Sequence, residues 1–528
     1  MKRRDFLRNT VTAATLTNLL GGFSVQAFGA SPFLNMLTNA SAETDHVLVM
    51  IQLAGGNDGL NTIIPLDQYA NLATVRKNVL IPQNQVLALN GTSTVGMHPN
   101  MGGMQQMYNN GLLNIIQSVG YPNPDFSHFR STDIWLTGSD SNQVLNTGWT
   151  GRYLNYEYPN YPVGYPNTSV PDPLAMQIGS SLSTIFQGPG LNMGLSISDP
   201  TNFYNLINGI QDPAPNTPAG TELSFIRLMA KQTDQYATVI KTAANNITTQ
   251  GAYPSNNTLA DQLKIVARLI AGGLKTRLYL VNLPGFDTHS KQVSESSTTS
   301  GIHADLLQKL SDAMKAFTDD LNFLGAGDRV IGMTFSEFGR RIKSNSGLGT
   351  DHGAAAPLFV FGNKVIPGIL GSNPTISSTV TINDNLPMQY DFRSVYASLL
   401  QDWFCVPSSD LNSLLLSNFQ SLPLVDSSYC NPLGAHAQNK MAGISLVSNY
   451  PNPFTSSTTI SYQTTGGHTL LQVFNGEGHL IKTLVDAVLS AGEYKIWFEN
   501  EGYAEGIYYV RLQNNALQQV QPMLIVRG

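Results

Sequence analysis

Five short clusters in this chain bring together carboxylate, amide, imidazole, hydroxyl or guanidinium groups. Asp58 lies in Gly55-Gly56-Asn57-Asp58-Gly59-Leu60-Asn61, and Ser127, His128 and Arg130 follow the Pro-rich segment Tyr121–Phe126. Asp287 and His289 lie in Pro284-Gly285-Phe286-Asp287-Thr288-His289, Glu337 and Arg340 in Ser336–Arg341, and Asp351-His352 in Thr350–Gly353. Asp, Glu and His are ligand types for divalent cations, and an Asp and a His two apart in a loop can reach one ion. A serine in the first turn of a helix meets free N–H groups and a dipole that favour anions. It becomes a nucleophile when a metal or base lowers its pKa. The same serine is also a good N-cap, the Asp58 segment also reads as an Asn-Asp-Gly turn, and 336–353 also reads as a capped loop with surface charges.

The apolar runs between these clusters show what must position them. His46–Ala54, Leu112–Val119, Thr276–Leu283, Val330–Phe335 and Leu358–Phe361 read as buried strands. His98–Asn110, Glu222–Asn246, Leu259–Gly272 and Gly301–Leu324 read as helices, the last with His303 in its first turn, and a further helix starts at Asp391. This β–α–β alternation predicts a largely parallel sheet flanked by helices, and such sheets keep their sites at the strands' carboxyl ends. Val365–Leu370 and Thr379–Ile382 read as short added strands. Residues 140–220, rich in Tyr, Pro, Asn and Gly, read as long loops of the kind that form lids, with Gly148–Tyr153 as either a substrate-facing piece or a structural turn around a packed Trp.

The two ends differ from this middle. Residues 1–42 read as an export signal: Lys2-Arg3-Arg4-Asp5-Phe6-Leu7 is a twin-arginine pattern addressed to the Tat translocase. The weakly apolar Val11–Ala30 run is too polar to span a bilayer, and Ala40-Ser41-Ala42 is a small-x-small cleavage site, with Ala27–Ala30 as an earlier alternative. Residues 406–442 read as a linker after a main domain at 43–405. From Gly443 to the end, short alternating segments read as a small antiparallel β-sandwich. Only 12% of the 528 residues are charged, and the net charge is −6. That leaves no electrostatic basis for binding nucleic acid and suits a secreted protein with a neutral polar surface. The two cysteines, Cys405 and Cys430, exclude a disulfide scaffold and a cysteine-based zinc site. In an oxidising compartment they have the option of pairing.

The carboxyl-terminal segment resembles the type A sorting domain of type IX secretion in Bacteroidetes. The resemblance rests on Tyr450-Pro-Asn-Pro-Phe454, Thr458–Tyr462, Val473–Gly478, Ala491-Gly492 and Gly506–Tyr508. It implies passage through the periplasm to the cell surface or medium by the type IX machinery. The main domain resembles the DUF1501 family of the alkaline phosphatase/sulfatase-like superfamily through LAGGNDGLN (53–61), DFSHFRSTDIW (125–135), PGFDTH (284–289), SEFGRR (336–341) and TDHGAAAPLFVFG (350–362). That resemblance implies an alkaline phosphatase-like fold around one or two divalent metals (Zn, Mn, Mg or Ca). Asp58, Asp287, His289, Glu337, Asp351 and His352 are then the metal-ligand candidates. Ser127 is the candidate nucleophile attacking phosphorus or sulfur of a small-molecule or glycan ester, with His128, Arg130 and Arg340 as catalytic partners. Where the superfamily often carries Asp-His, this chain has Glu337-Phe338. The alternative it implies is a secreted binding or scaffold protein with a partial metal site.

Overall fold

The structure, a computed structural model, describes residues 45–430 and 445–526, apart from 159–160, 163–164, 169, 180–181, 198–235, 453, 476–478 and 515–516. The export signal of 1–42, most of the second half of the expected linker and much of the expected helix Glu222–Asn246 lie outside these residues. The described residues fall into two compact units divided after Asp426.

The first unit is built on a nine-stranded sheet. Its strands are β1 (Val47–Ala54), β2 (Leu113–Gly120), β3 (Ala175–Ile178), β4 (Gly194–Ile197), β5 (Leu278–Pro284) and β6 (Val330–Phe335). A short hairpin follows, β7 (Arg340–Ser344) with β8 (Thr350–His352). The sheet then continues with β9 (Ala356–Phe361), β10 (Gly368–Leu370) and β11 (Tyr390–Asp391). The order is β10-β2-β9-β6-β1-β5-β3-β4, with β11 also on β2. All neighbours are parallel except β9, which runs antiparallel to both β6 and β2. The cause is the connection: β6 reaches β9 through the β7–β8 hairpin, with no crossover helix to return the chain to the starting edge. The segment leading into β9 therefore lies at the same end of the sheet as the carboxyl ends of β1, β5 and β6.

Alternation along β1 sends its side chains to two cores. Val47, Val49, Ile51 and Leu53 join one, with α1 (Gly102–Asn109), α4 (Thr258–Ala271) and α5 (Ile302–Phe323) over it. Leu48 and Met50 join the other, covered by α2 (His128–Thr137), α3 (Trp149–Glu157) and α6 (Phe392–Ser398). A strand apolar on both faces can be stable only between two helical layers. Asp391 caps α6 by accepting from the Arg393 amide, and Trp135 stacks on Phe392 at 4.4 Å between ring centres.

Several expectations are corrected. The 140–220 segment holds α3, β3 and β4, and its candidate substrate-facing residues are interior: Trp149 and Tyr153 are fully buried. Arg152 donates to the carbonyls of Leu414 and Thr137 at 2.5 and 2.8 Å. Aromatic residues spaced along a helix find a core, whatever the polarity of the loops around them. Thr379–Ile382 forms turns, not a strand. The expected linker is half core, since Ser408–Leu415 is helical and Leu411, Leu414, Leu415, Leu424 and Val425 are buried. The option open to the cysteines is the one taken, as both are disulfide-bonded.

The second unit is one antiparallel sheet of five strands, β12 (Ser445–Tyr450), β13 (Ser457–Phe474), β14 (Leu480–Glu499), β15 (Gly506–Asn514) and β16 (Leu517–Ile525). It closes over its own apolar core, which includes Ile460, Leu471, Val473, Phe498 and Leu512. Two of the short alternating segments, Thr458–Gln463 and Thr469–Phe474, form one continuous strand. Gly466 and Gly467, at φ 92° and 100°, lie within it, and its ladder with β14 continues on both sides of them.

The tight end of β1 depends on Gly55. Its φ is 126°, and a Cβ there would lie 2.2 Å from the Asp287 amide nitrogen. Gly55→Ala is expected to destabilise the main unit by at least about 1–3 kcal/mol, read as a lower urea midpoint at unchanged slope.

Candidate functional site

Four segments converge at one end of the main sheet. Asp287 and His289 follow β5, and Glu337 and Arg340 follow β6. Asp351 and His352 end β8, on the approach to antiparallel β9. The loop after β2 leads to the first residue of α2, His128.

At the centre is Asp287. Its Oδ1 accepts from Arg340 Nη2 at 2.8 Å and lies 3.2 Å from both His289 Nε2 and His352 Nε2. Its Oδ2 lies 3.4 Å from His128 Nε2. Partial burial works against its charge, but the hydrogen bond and positive charge of Arg340 hold its carboxyl down at about 2. The ligand atoms of His128, Asp287 and His352 all lie within 4.8 Å of one another. His289 touches two of these three, with its Nε2 2.8 Å from His352 Nε2. The cluster is open to solvent, its side chains being 20–48% exposed.

The far side of each imidazole is fixed. His352 Nδ1 donates to the Phe126 carbonyl at 2.7 Å, His128 Nδ1 to Glu337 Oε1 at 2.9 Å, and His289 Nδ1 to Asp351 Oδ1 at 3.0 Å. Carbonyl and carboxylate oxygens only accept, so in each neutral ring the proton is on Nδ1 and the Nε2 lone pair faces inward. Burial, with Arg340 and His128 nearby, lowers the pKa of His352. The His289 and His352 lone pairs thus face each other at 2.8 Å beside a carboxylate oxygen, an arrangement that a shared cation stabilises. Imidazoles backed by a carboxylate or carbonyl are the usual surroundings of a bound metal, and the donor set fits a divalent ion. His128, Asp287, His289 and His352 would hold it.

The other expected site residues take different places. Glu337, 3% exposed, backs His128 and accepts from the Gly55 amide at 2.8 Å, while its buried Oε2 has no hydrogen-bond partner among the described residues. Asp351 backs His289 and also accepts from Asn345 Nδ2 at 3.0 Å. Asp58 is outside the cluster, buried and paired with Arg76. Arg340 is buried and spends its fork on the Gly56, Thr350 and Gly55 carbonyls, the Phe286 carbonyl and Asp287. Arg130 pairs with Asp133 and donates to the carbonyls of Asp140, Ser141 and Gln143. Ser127 occupies the N-cap position of α2, yet its hydroxyl makes no capping hydrogen bond. It is exposed beside His128, and the adjacent Phe126 carbonyl is the His352 acceptor. Phe338 packs against His352 and His128, at 4.4 and 5.0 Å between ring centres, and so fills the space next to the cluster with carbon.

Behind the cluster lies a buried polar layer that the sequence reading did not single out as part of the site: Arg76, His98, Gln292 and His303, each at most 1% exposed. No local pattern marks it, because its members come from four separate segments of the chain. His303 Nε2 donates to Asn57 Oδ1 at 3.0 Å.

An α/β protein with a histidine–carboxylate cluster at its sheet end is thus defined. Residues 45–410 match the family described as "Protein of unknown function (DUF1501)", and the chain belongs to it. Residues 448–527 match "Secretion system C-terminal sorting domain". No curated protein matches the chain. Similar solved structures include a protein in the alkaline phosphatase superfamily from Vibrio parahaemolyticus (10% identity, 99% of this chain and 90% of that one, TM-score 0.32). Others are alkaline phosphatase from the Antarctic bacterium TAB5 (10%, 62% and 95%, 0.26) and PsFucS1 sulfatase from Pseudoalteromonas sp. (11%, 88% and 86%, 0.31). The sorting domain marks a secreted or cell-surface protein handled by type IX secretion machinery. Among the described residues no helix is long and apolar enough to cross a membrane.

Burial lowers the pKa of His303 to about 4 and that of His98 to about 3, from 6.5. Below pH 6.5 the unfolded chain binds these protons first, so stability falls as pH drops from about 6.5 towards 4. His303→Gln is expected to flatten that slope by up to about 1.4 kcal/mol per pH unit, measured as urea midpoints between pH 4 and 7.

Proposed function

We propose that the cluster is a divalent-metal centre and that the protein is an exported hydrolase of phosphate or sulfate esters. One observation carries the reading: three imidazoles whose Nδ1 protons are committed to oxygen acceptors turn their Nε2 atoms towards Asp287. When bound, a divalent ion supplies Lewis acidity for an ester oxygen. His128, Asp287, His289 and His352 hold it, and Glu337, Asp351 and the Phe126 carbonyl set the rings. Ser127 is the nucleophile of this reading, because its hydroxyl is exposed, uncapped and adjacent to His128. The helix N-terminus at Ser127 favours an anionic ester group. Arg340 keeps the loops in place, since its donors are already engaged. Phe338 supports one ion over two, as its ring offers no ligand atom where it lies against His128 and His352.

The same reading takes residues 1–42 as a Tat-type signal and the sorting domain as the export tag. A second reading, a metal-stabilised binding protein without turnover, is favoured by the same Phe338.

Purified protein is expected to bind close to one equivalent of zinc or manganese by elemental analysis, and His352→Ala to lose it. Ser127→Ala is expected to keep the metal while hydrolysis of p-nitrophenyl phosphate or sulfate falls on the order of 10³-fold or more. Folded wild-type protein that takes up no metal defeats the reading. Metal uptake without turnover selects the binding protein.

A further inference from the structure

The buried layer behind the cluster contains one side chain that touches both ligand-bearing segments. Gln292 is fully buried. Its Oε1 accepts from Thr350 Oγ1 at 2.6 Å and from Thr288 Oγ1 at 3.3 Å. Thr288 stands between Asp287 and His289, and Thr350 immediately precedes Asp351 and His352. The two segments also meet through their backbones, the Thr350 amide donating to the Thr288 carbonyl at 3.2 Å. One amide oxygen therefore fastens the carboxylate–histidine pair after β5 to the pair at the end of β8.

The amide is oriented by Asp58. Gln292 Nε2 donates to Asp58 Oδ2 at 2.5 Å. A carboxylate only accepts, so it turns the NH₂ end of the amide towards itself and the oxygen towards the threonines. Asp58 is charge-paired with the fully buried Arg76, whose Nη1 donates to the Ile342 carbonyl of β7 at 3.4 Å. A buried ion pair whose members also bond to backbone and amide groups has one strongly preferred geometry. The end of β1 thus reaches the cluster through two hydrogen-bonded steps.

We infer that Asp58 and Gln292 form a positioning relay: Asp58 orients the Gln292 amide, and Gln292 sets the spacing of Thr288 and Thr350 and so the aim of the His289 and His352 rings. Asp58 touches neither ring. It acts from behind them, so its loss shows in how the rings are held. The relay builds on the metal-centre reading, but its first readout needs no metal.

The test uses the full chain with ¹⁵N-labelled histidine, freed of metal. Thr350→Val removes the hydroxyl at nearly constant volume, Thr350→Ser keeps it, and Gln292→Met removes the amide. Wild type and Thr350→Ser are expected to show His289 and His352 each as a single tautomer protonated at Nδ1. Thr350→Val and Gln292→Met are expected to show mixed tautomers at these two rings, with the His303 signal unchanged. In zinc titration calorimetry the same two variants should bind roughly 10–100-fold more weakly, and Thr350→Ser should match wild type. If Gln292→Met does not fold, Thr288→Val replaces it. Wild-type tautomers in folded Thr350→Val and in the second variant overturn the relay. Wild type that binds no zinc defeats the metal-centre reading alone, and the histidine spectra still decide the relay.

Discussion

The site end of the main unit is organised around the buried guanidinium of Arg340. It donates to the carbonyls of Gly55 and Gly56 after β1, of Phe286 after β5 and of Thr350 in β8, and to the carboxylate of Asp287. A planar group with five donors can join several backbone turns that would otherwise leave carbonyls unpaired in a dry interior. Burial lowers its pKa, but Asp287 opposes that shift. Removing the guanidinium would leave four carbonyls and a carboxylate to find new partners at once, so the loops after β1 and β5 and the hairpin keep their relative places because of it.

Around this anchor the histidines are arranged in depth. Each ring has an inward nitrogen and an outward nitrogen tied to an oxygen, and the oxygens differ in kind: a backbone carbonyl, a buried glutamate and a half-exposed aspartate. Carboxylates of one site therefore do unlike work. Asp287 faces the imidazole nitrogens directly, while Glu337 and Asp351 stand one bond further out, behind His128 and His289. Ring orientation is set by this outer shell, and behind it Gln292 and Asp58 tie the loops to the sheet.

The second unit has a separate core, and its long bent strands β13 and β14 carry most of its pairing. Its match to a sorting domain gives the protein an extracellular destination, which agrees with disulfide-bonded cysteines and a low content of charged residues.

Much of this was legible in local pattern. The runs at His46–Ala54 and Val330–Phe335 are apolar at every position or nearly so, and only a strand between two helical layers accommodates that. The ligand-type residues also lie where β–α–β spacing puts strand ends, so Asp287, His289, His128 and His352 could be named before their distances were known. The division of labour among them was not legible. Whether a carboxylate faces the imidazole nitrogens or backs a ring depends on which way a loop turns in three dimensions, and Asp58 and Glu337 have the right chemistry for either role. Nor does local sequence show that Arg340 is consumed by carbonyls of the loops after β1 and β5 and of β8, or that Trp149 and Arg152 face inward. The sequence by itself determined the strands, the order of the clusters and the sorting module, because periodicity and short-range spacing encode them. Only the tertiary structure decided which groups meet, because hydrogen-bond partners more than 200 residues apart leave no local trace.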